Sequence, residues 1–129
     1  MAARTGGDIV VEALKALGVQ HIFGIPSVHN LPIFDAIARD GSIEPIIVRN
    51  EQAAAHSADG YARASGKLGV ILASTGPGTT NTVTGLYEAQ FASSRVLLIT
   101  GQVDAVYYGR SEEHTSELQS PCNLVCRLL

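Results

Sequence analysis

The stretch that decides the fold is Ile43-Glu44-Pro45-Ile46-Ile47-Val48-Arg49-Asn50-Glu51-Gln52-Ala53-Ala54-Ala55-His56-Ser57-Ala58-Asp59-Gly60-Tyr61-Ala62-Arg63. Residues 43–48 form an apolar run typical of a buried strand, and one acid, Glu51, follows at the turn. Behind Glu51 comes a helical stretch of small residues, which can pack its backbone close to a neighbour. Open α/β sheets place their ligands at such strand-to-helix junctions. We therefore expect Glu51 to lie at the edge of a binding site.

Strands and helices alternate on both sides of this stretch. Hydrophobic spacing and turn residues predict helices over 8–17, 31–38, 51–65 and from the turn at 74–81 to about 92, and strands over 21–26, 43–48, 68–73 and 96–100. The strand at 68–73 is apolar throughout, as in parallel strands that are covered on both faces. The sequence therefore predicts an α/β fold with a doubly wound parallel sheet flanked by helices.

Composition excludes several classes of protein. The 129 residues suffice for one domain with a core, and they are 46% apolar and 16% charged. A net charge of -3 provides no basic face, which argues against a nucleic-acid partner. No apolar run approaches the roughly 20 residues of a membrane helix, and the first residues lack the apolar core of a signal peptide. We expect a cytoplasmic protein without a membrane partner.

Position alone leaves two roles open for Glu51. An acid behind a capping Asn50 stabilises the helix dipole by about 0.3–1 kcal/mol, and this structural role is the commoner one. The alternative is a functional carboxylate at the ligand-binding edge of the sheet.

A second candidate is the turn Ser74-Thr75-Gly76-Pro77-Gly78-Thr79-Thr80-Asn81. It is not a Walker loop, because no lysine follows its last glycine, and Asn81 stands where G-x-G-x-x-G would have its third glycine. A purely structural turn, with Thr79 or Thr80 capping the next helix, is equally compatible with these residues.

Four groups of residues follow one another in the order and at the spacings of a single family pattern. They are Phe23-Gly24-Ile25-Pro26 with Asn30-Leu31-Pro32 and Phe34-Asp35-Ala36; Arg49 to His56 with Asp59 to Arg63 and Gly66-Lys67; Ser74 to Asn81 with Gly85-Leu86 and Glu88-Ala89; and Leu98-Ile99-Thr100-Gly101-Gln102. From Thr5 to Gln102 the pattern resembles the N-terminal pyrimidine-binding domain of thiamine-diphosphate-dependent enzymes, in particular the acetolactate-synthase-like branch.

The resemblance implies a catalytic role for Glu51. In that family the glutamate hydrogen-bonds a pyrimidine nitrogen of thiamine diphosphate and favours the form of the ring that removes a proton from the thiazolium carbon. The cofactor then acts on a small 2-oxo acid, in a carboligase or a decarboxylase. The residues implied in cofactor binding are Pro26, Glu51, Thr75, Gly76, Pro77, Gly78 and Asn81.

Two histidines, His29 and His56, are further candidates, although a histidine near a turn is more often a structural hydrogen-bonding residue. His29 lies where some family members carry a substrate-facing polar residue. Val28 stands where decarboxylases of the family place an acid, which favours carboligation or another substrate over simple pyruvate decarboxylation. Ser27 also replaces the glycine usual after Pro26. Val28 and His29 are therefore the expected substrate residues.

The family's diphosphate and metal site lies in a separate C-terminal domain with a Gly-Asp-Gly motif, which nothing in this sequence matches. We expect no metal ligand here, Mg²⁺ bound in the missing domain, and FAD in the parent enzyme if it follows the flavin-binding part of the family. The parent is expected to be a homodimer or homotetramer, with the small-residue helix from Ala53 to Ala64 at the interface rather than in the core. The chain alone is expected to be inactive.

Two other interpretations remain open at this point. One is a non-catalytic relative that keeps the fold, against which the presence of Glu51 argues. The other is a Rossmann-type nucleotide-binding module, for which Gly24-Ile25-Pro26-Ser27 lacks the fingerprint glycines.

The last twenty residues have a different character. Both cysteines, Cys122 and Cys126, lie here, and a C-x-x-x-C pair without a nearby histidine ladder is a poor zinc motif. Arg110 to Ser120 and Asn123 to Leu129 resemble the translation of a sequencing-library adapter. We therefore expect residues 1–109 to be the N-terminal cofactor-binding domain, incomplete at its C-terminus, and residues 110–129 to be a non-native tail.

Overall fold

The computed structural model describes residues 4–102 in full and the backbone of residues 124–128. Its elements are α1 (Gly6–Ala16), β1 (His21–Gly24), α2 (Leu31–Asp40), β2 (Glu44–Ile47), α3 (Glu51–Ser65), β3 (Gly69–Ala73), α4 (Pro77–Thr80), α5 (Val83–Phe91), β4 (Val96–Gly101) and β5 (Leu124–Leu128). Every predicted element is present within two residues, except that the last predicted helix is divided into α4 and α5. Within the described residues, no helix is long and apolar enough to cross a membrane.

The strands form one sheet in the order β2-β1-β3-β4-β5. The first four are parallel, which confirms the predicted α/β fold, and β5 pairs antiparallel with β4. The sequence predicts no strand at 124–128. The order in which strands are added reverses at β1: β2 lies on one side of it, and β3 and β4 lie on the other. Open sheets bind ligands at such a switch point, which here lies between β1 and β3. The order also differs from the 3-2-1-4 of dinucleotide-binding domains, which argues against the Rossmann alternative.

Helices cover both faces of the sheet because successive strand residues point to opposite sides. One core lies under α1 and α2 and includes Val11, Leu14, Ile22, Ile33, Phe34, Ile37, Val70, Leu72, Leu97 and Ile99. The other lies under α3 and α5 and includes Phe23, Ala54, Ala55, Ala58, Ala62, Ile71, Ala73, Ala89, Val96 and Leu98. The sheet is therefore doubly wound, as predicted.

The alanines of α3 belong to the second core. Ala54, Ala55, Ala58 and Ala62 are buried within the chain itself. The expectation that this helix serves a subunit interface rather than the core is therefore wrong for these four residues. Small side chains allow close approach, but the neighbour they approach is the chain's own sheet.

Strand β2 lies at the edge of the sheet, and all four of its residues are exposed. The prediction of a buried strand over 43–48 is therefore wrong in its burial, although the strand exists. Pro45 has no N–H to donate to a second neighbour, and proline in sheets is confined to such edges. Ile43, just before the strand, joins the first core, and Val48, just after it, is partly buried against the second.

An ion pair joins α3 to α5. Arg63 donates Nε to Asp59 Oδ1 at 3.0 Å, approaches Asp59 Oδ2 at 2.7 Å and reaches Glu88 Oε1 at 3.1 Å. Burial by itself raises the pKa of Asp59, but the hydrogen bonds and charge of Arg63 outweigh it and hold that pKa below its ordinary value. The Asp59–Arg63 pair, which lies within α3, therefore contributes stability at neutral pH and is lost only as the pH falls through the lowered pKa of Asp59.

Two helical glycines allow the close packing of α3 to be tested. A Cβ on Gly85 would lie 2.4 Å from Ala55 Cβ, whereas one on Gly60 would meet nothing within 4 Å. Gly85→Ala should lower the free energy of unfolding by about 1–3 kcal/mol because α5 must move away from α3. Gly60→Ala, the matched control, should raise it by about 0.5–1 kcal/mol. Urea unfolding measures both, and equal responses would show that the contact is not close-packed.

Candidate functional site

Asn50, not Glu51, caps helix α3. Its backbone is extended and its side-chain oxygen accepts the Gln52 N–H at 2.8 Å, which confirms the predicted cap. The Glu51 carboxylate instead accepts a hydrogen bond from Asn81 Nδ2 at 3.2 Å. Glu51 therefore links the start of α3 to the segment between α4 and α5, and its carboxylate is not occupied in capping.

The turn before α4 brings a glycine against this carboxylate. A Cβ on Gly78 would lie 2.9 Å from Ser74 Cβ and 3.4 Å from Glu51 Oε1. Gly76 begins the turn with φ 55° and ψ -121°, a conformation open to glycine but costly for other residues. The lack of a side chain at Gly78 therefore lets the Glu51 carboxylate lie close to the turn.

Threonine hydroxyls fasten this turn to β4. Thr79 Oγ1 donates to the Ser74 carbonyl at 2.7 Å, Thr100 Oγ1 donates to the same carbonyl at 2.9 Å, and the two hydroxyls contact each other. Thr100 is not among the predicted site residues, although a threonine at the end of an apolar strand is a sequence signal for a polar contact there. Thr100 is buried and Thr79 half-buried, and their hydrogen bonds hold the turn against the end of β4.

Neither Thr79 nor Thr80 caps the following helix, so the capping expected of them is wrong. The residue before α5 is Thr82, which is fully buried and donates its hydroxyl to the Thr79 carbonyl at 2.7 Å. A local turn there divides the predicted helix, and it leaves the Asn81 side chain directed at Glu51.

The remaining residues predicted to bind the cofactor lie on the turn before α4 and on the loop after β1. Thr75 is half-buried and its carbonyl accepts the Gly78 N–H at 3.1 Å, while Pro77 is exposed as the first residue of α4. Pro26 is exposed in the loop after β1. It lines an open apolar groove of about 670 Å³ with Val28, Leu31, Pro32, Phe34, Asp35 and Ala38.

The expected substrate residues lie on that same loop. Val28 is 85% exposed, and His29 is exposed, with its backbone and Cβ against Gly101 at the end of β4. Within residues 4–102, no hydrogen bond or ion pair joins His29 to Glu51 or Asn81. The structure therefore brings Glu51, Gly78 and Asn81 together and leaves Val28 and His29 on a separate loop.

His56 is exposed on α3, five residues after Glu51. Five residues are about 140° around a helix, so its side chain leaves α3 in a different direction from that of Glu51. In the part of the chain that the structure describes, no group of three or more His, Cys, Asp or Glu side chains could hold a metal ion.

This arrangement suits one end of a planar heterocycle. A carboxylate held by an amide donor can accept a hydrogen bond from a ring nitrogen that carries a proton. Gly78 is buried, and a Cβ there would meet Ser74 Cβ and the Glu51 carboxylate, so glycine lets the acid approach the turn closely. The Glu51 carboxylate is therefore the group present that fits a pyrimidine nitrogen carrying a proton.

Residues 4–123 match the family described as thiamine pyrophosphate enzyme, N-terminal TPP binding domain. Because the match covers most of the chain, the chain belongs to this family. The match extends past residue 109, and the predicted boundary there remains a proposal.

Among individual proteins, the chain is similar to acetolactate synthases. It is 56% identical to acetolactate synthase of Arthrospira platensis over 102 residues, which are 77% of this chain and 18% of that protein. It is 49% identical over 104 residues to the isozyme 2 large subunit of Escherichia coli, covering 81% of the chain and 19% of the relative. The corresponding figures for the large subunit of Lactococcus lactis are 45% over 106 residues, 82% and 18%. The chain therefore spans less than a fifth of the length of the curated relatives it matches.

Replacing Asn81 tests whether it truly neighbours the acid. Asn81→Asp puts a second carboxylate about 3 Å from Glu51 and should lower the free energy of unfolding at pH 7 by about 1 kcal/mol more than Asn81→Ala does. Chemical unfolding at pH 7 measures the difference, and equal destabilisation by the two variants would place the side chains apart.

Proposed function

We propose that this chain supplies the pyrimidine-binding half of the active site of an acetolactate-synthase-like, thiamine-diphosphate-dependent enzyme. The observation that carries the proposal is the Glu51 carboxylate, held by Asn81 beside Gly78. A structural glutamate at this helix start would have no need of an amide donor from another element. The small-molecule substrate proposed for the whole enzyme is a 2-oxo acid.

The residues around Glu51 have distinct roles in this proposal. Glu51 accepts a hydrogen bond from the pyrimidine ring. It thereby acts in catalysis by favouring the form of the ring that carries a proton on that nitrogen. Asn81 keeps the carboxylate oriented. The backbone of Thr75, Gly76, Pro77 and Gly78 forms one wall against the ring, and Pro26 belongs to the opposite loop. Thiamine diphosphate supplies an electron sink for carbon–carbon bond chemistry when bound.

Val28 and His29 are the proposed substrate residues. Val28 is apolar and cannot donate a proton, whereas the family's decarboxylases have an acid at this position. Carboligation is therefore the proposed reaction. An imidazole at His29 can donate or accept one hydrogen bond, which suits a carboxylate or carbonyl oxygen of a 2-oxo acid.

The remaining parts of the site are proposed to lie outside residues 4–102. The diphosphate and Mg²⁺ need a partner domain with oxygen ligands. We propose that the whole enzyme is a homodimer or homotetramer in the cytoplasm, with FAD if it follows the flavin-binding part of the family. The chain without that domain is proposed to be inactive.

A chimera tests the role of Glu51. Residues 5–102 would replace the matching segment of the Escherichia coli isozyme 2 large subunit. The chimera should form acetolactate, and Glu51→Gln in it should lower kcat at least about 100-fold, because it removes the charge that the ring's proton requires. The unfolding temperature should not change.

The matched control is Glu12→Gln, which removes an exposed acid of α1 whose ion pair, among residues 4–102, is with Arg4. It should leave kcat unchanged. An active Glu51→Gln chimera would reject the catalytic role, and an unmodified chimera that binds no cofactor would favour a non-catalytic relative.

We also propose that the native domain sequence ends by residue 109 and that residues 110–129 are a non-native tail. Long-read sequencing of the source locus should give a different continuation after Gly109 and extend the coding region. A genomic sequence that encodes the same twenty residues would reject the proposal.

A further inference from the structure

Asn30 is 1% exposed and stands at the N-cap position of α2. An asparagine at that position commonly accepts a hydrogen bond from an N–H of its helix. Here the side chain makes no capping bond. A buried amide is costly unless both of its ends find partners, so its partners must lie elsewhere.

Those partners lie in the loop after β1. Asn30 Oδ1 accepts the Ser27 N–H at 2.7 Å, and Nδ2 donates to the Ile25 carbonyl at 3.0 Å. The backbone N–H of Asn30 also donates to the Ser27 carbonyl at 3.1 Å. One side chain therefore closes the loop on itself from the inside.

A second restraint comes from β4. A Cβ on Gly101 would lie 2.8 Å from His29 Cβ and 3.1 Å from the His29 carbonyl oxygen. The strand end thus supports the loop directly beneath its tip. The two tip residues, Val28 and His29, are exposed, so the loop is held by its base while its tip remains available.

We propose that Asn30 is a positioning residue for substrate binding. By fixing residues 25–29, it holds Val28 and His29 at a set place and so controls how tightly the 2-oxo acid binds. Asn30 is itself buried and acts only through these neighbours. The inference rests on the proposed function, since it assigns Val28 and His29 to the substrate.

Amide hydrogen exchange of the 129-residue chain tests the restraint without any ligand. Asn30→Ala should accelerate exchange of the Ser27 amide about tenfold, because the loss of one buried hydrogen bond is of that size. Asp59→Asn, the matched control, weakens the polar contact with Arg63 within α3 and should not change exchange at Ser27 relative to β3. An unchanged Ser27 rate in Asn30→Ala would overturn the proposal.

Kinetics of the chimera test the consequence. Asn30→Ala should raise KM for the 2-oxo acid about tenfold, while kcat changes less than about twofold. Asn30→Ser retains one hydroxyl on a shorter side chain, buries no charge and should have an intermediate KM. It replaces the alanine variant if that one does not fold.

The outcomes separate the two proposals. If Asn30 and Asp59 variants change KM equally, the Asn30 effect is general destabilisation and the positioning role is rejected. If the unmodified chimera shows no Glu51-dependent turnover, the proposed function fails. In that case hydrogen exchange at Ser27 still decides whether Asn30 restrains the loop.

Discussion

Helix α3 lies so close to its neighbours that a methyl group would not fit at two of its contacts. A Cβ on Gly69 would lie 2.2 Å from the Ala58 carbonyl oxygen, and one on Gly85 would lie 2.4 Å from Ala55 Cβ. Alanines bury little area each, so the contact depends on the many van der Waals interactions that this closeness allows. Because the helix is packed along its length, its first residue, Glu51, is held at a fixed place above the sheet edge.

The same packing determines what stands opposite the acid. Helix α5 meets α3 at Gly85, and the short segment before α5 carries Asn81 toward Glu51. The turn before α4 is tied separately to β4 through Thr79 and Thr100. The site is therefore assembled by helix packing on one side and by a strand end on the other. It does not depend on the conformation of one loop.

The bounds of α3 were predictable because both of its ends carry local signals. Asn50 caps the first turn, and Gly66 ends the helix with φ 69°. The exposure of β2 was not predicted, because an apolar run does not say how many neighbours a strand has; Pro45 was the available clue. The division between α4 and α5 has no clear signal in the sequence, since Thr82 is acceptable within a helix and only its burial and its bond to Thr79 explain the turn.

Two asparagines at helix starts show how burial, rather than residue type, decides a role. Asn50 is exposed, so water can hydrogen-bond the part of its amide that no protein group contacts. Its side-chain oxygen can therefore cap α3. Asn30 is buried and must satisfy both ends of its amide within the protein, which only the loop backbone at Ile25 and Ser27 allows. The first leaves the Glu51 carboxylate available to Asn81, and the second fixes the loop that carries Val28 and His29. Each is an asparagine directly before a helix, so residue type alone does not separate them. The difference arises from burial, because the loop after β1 encloses Asn30 whereas Asn50 is in solvent.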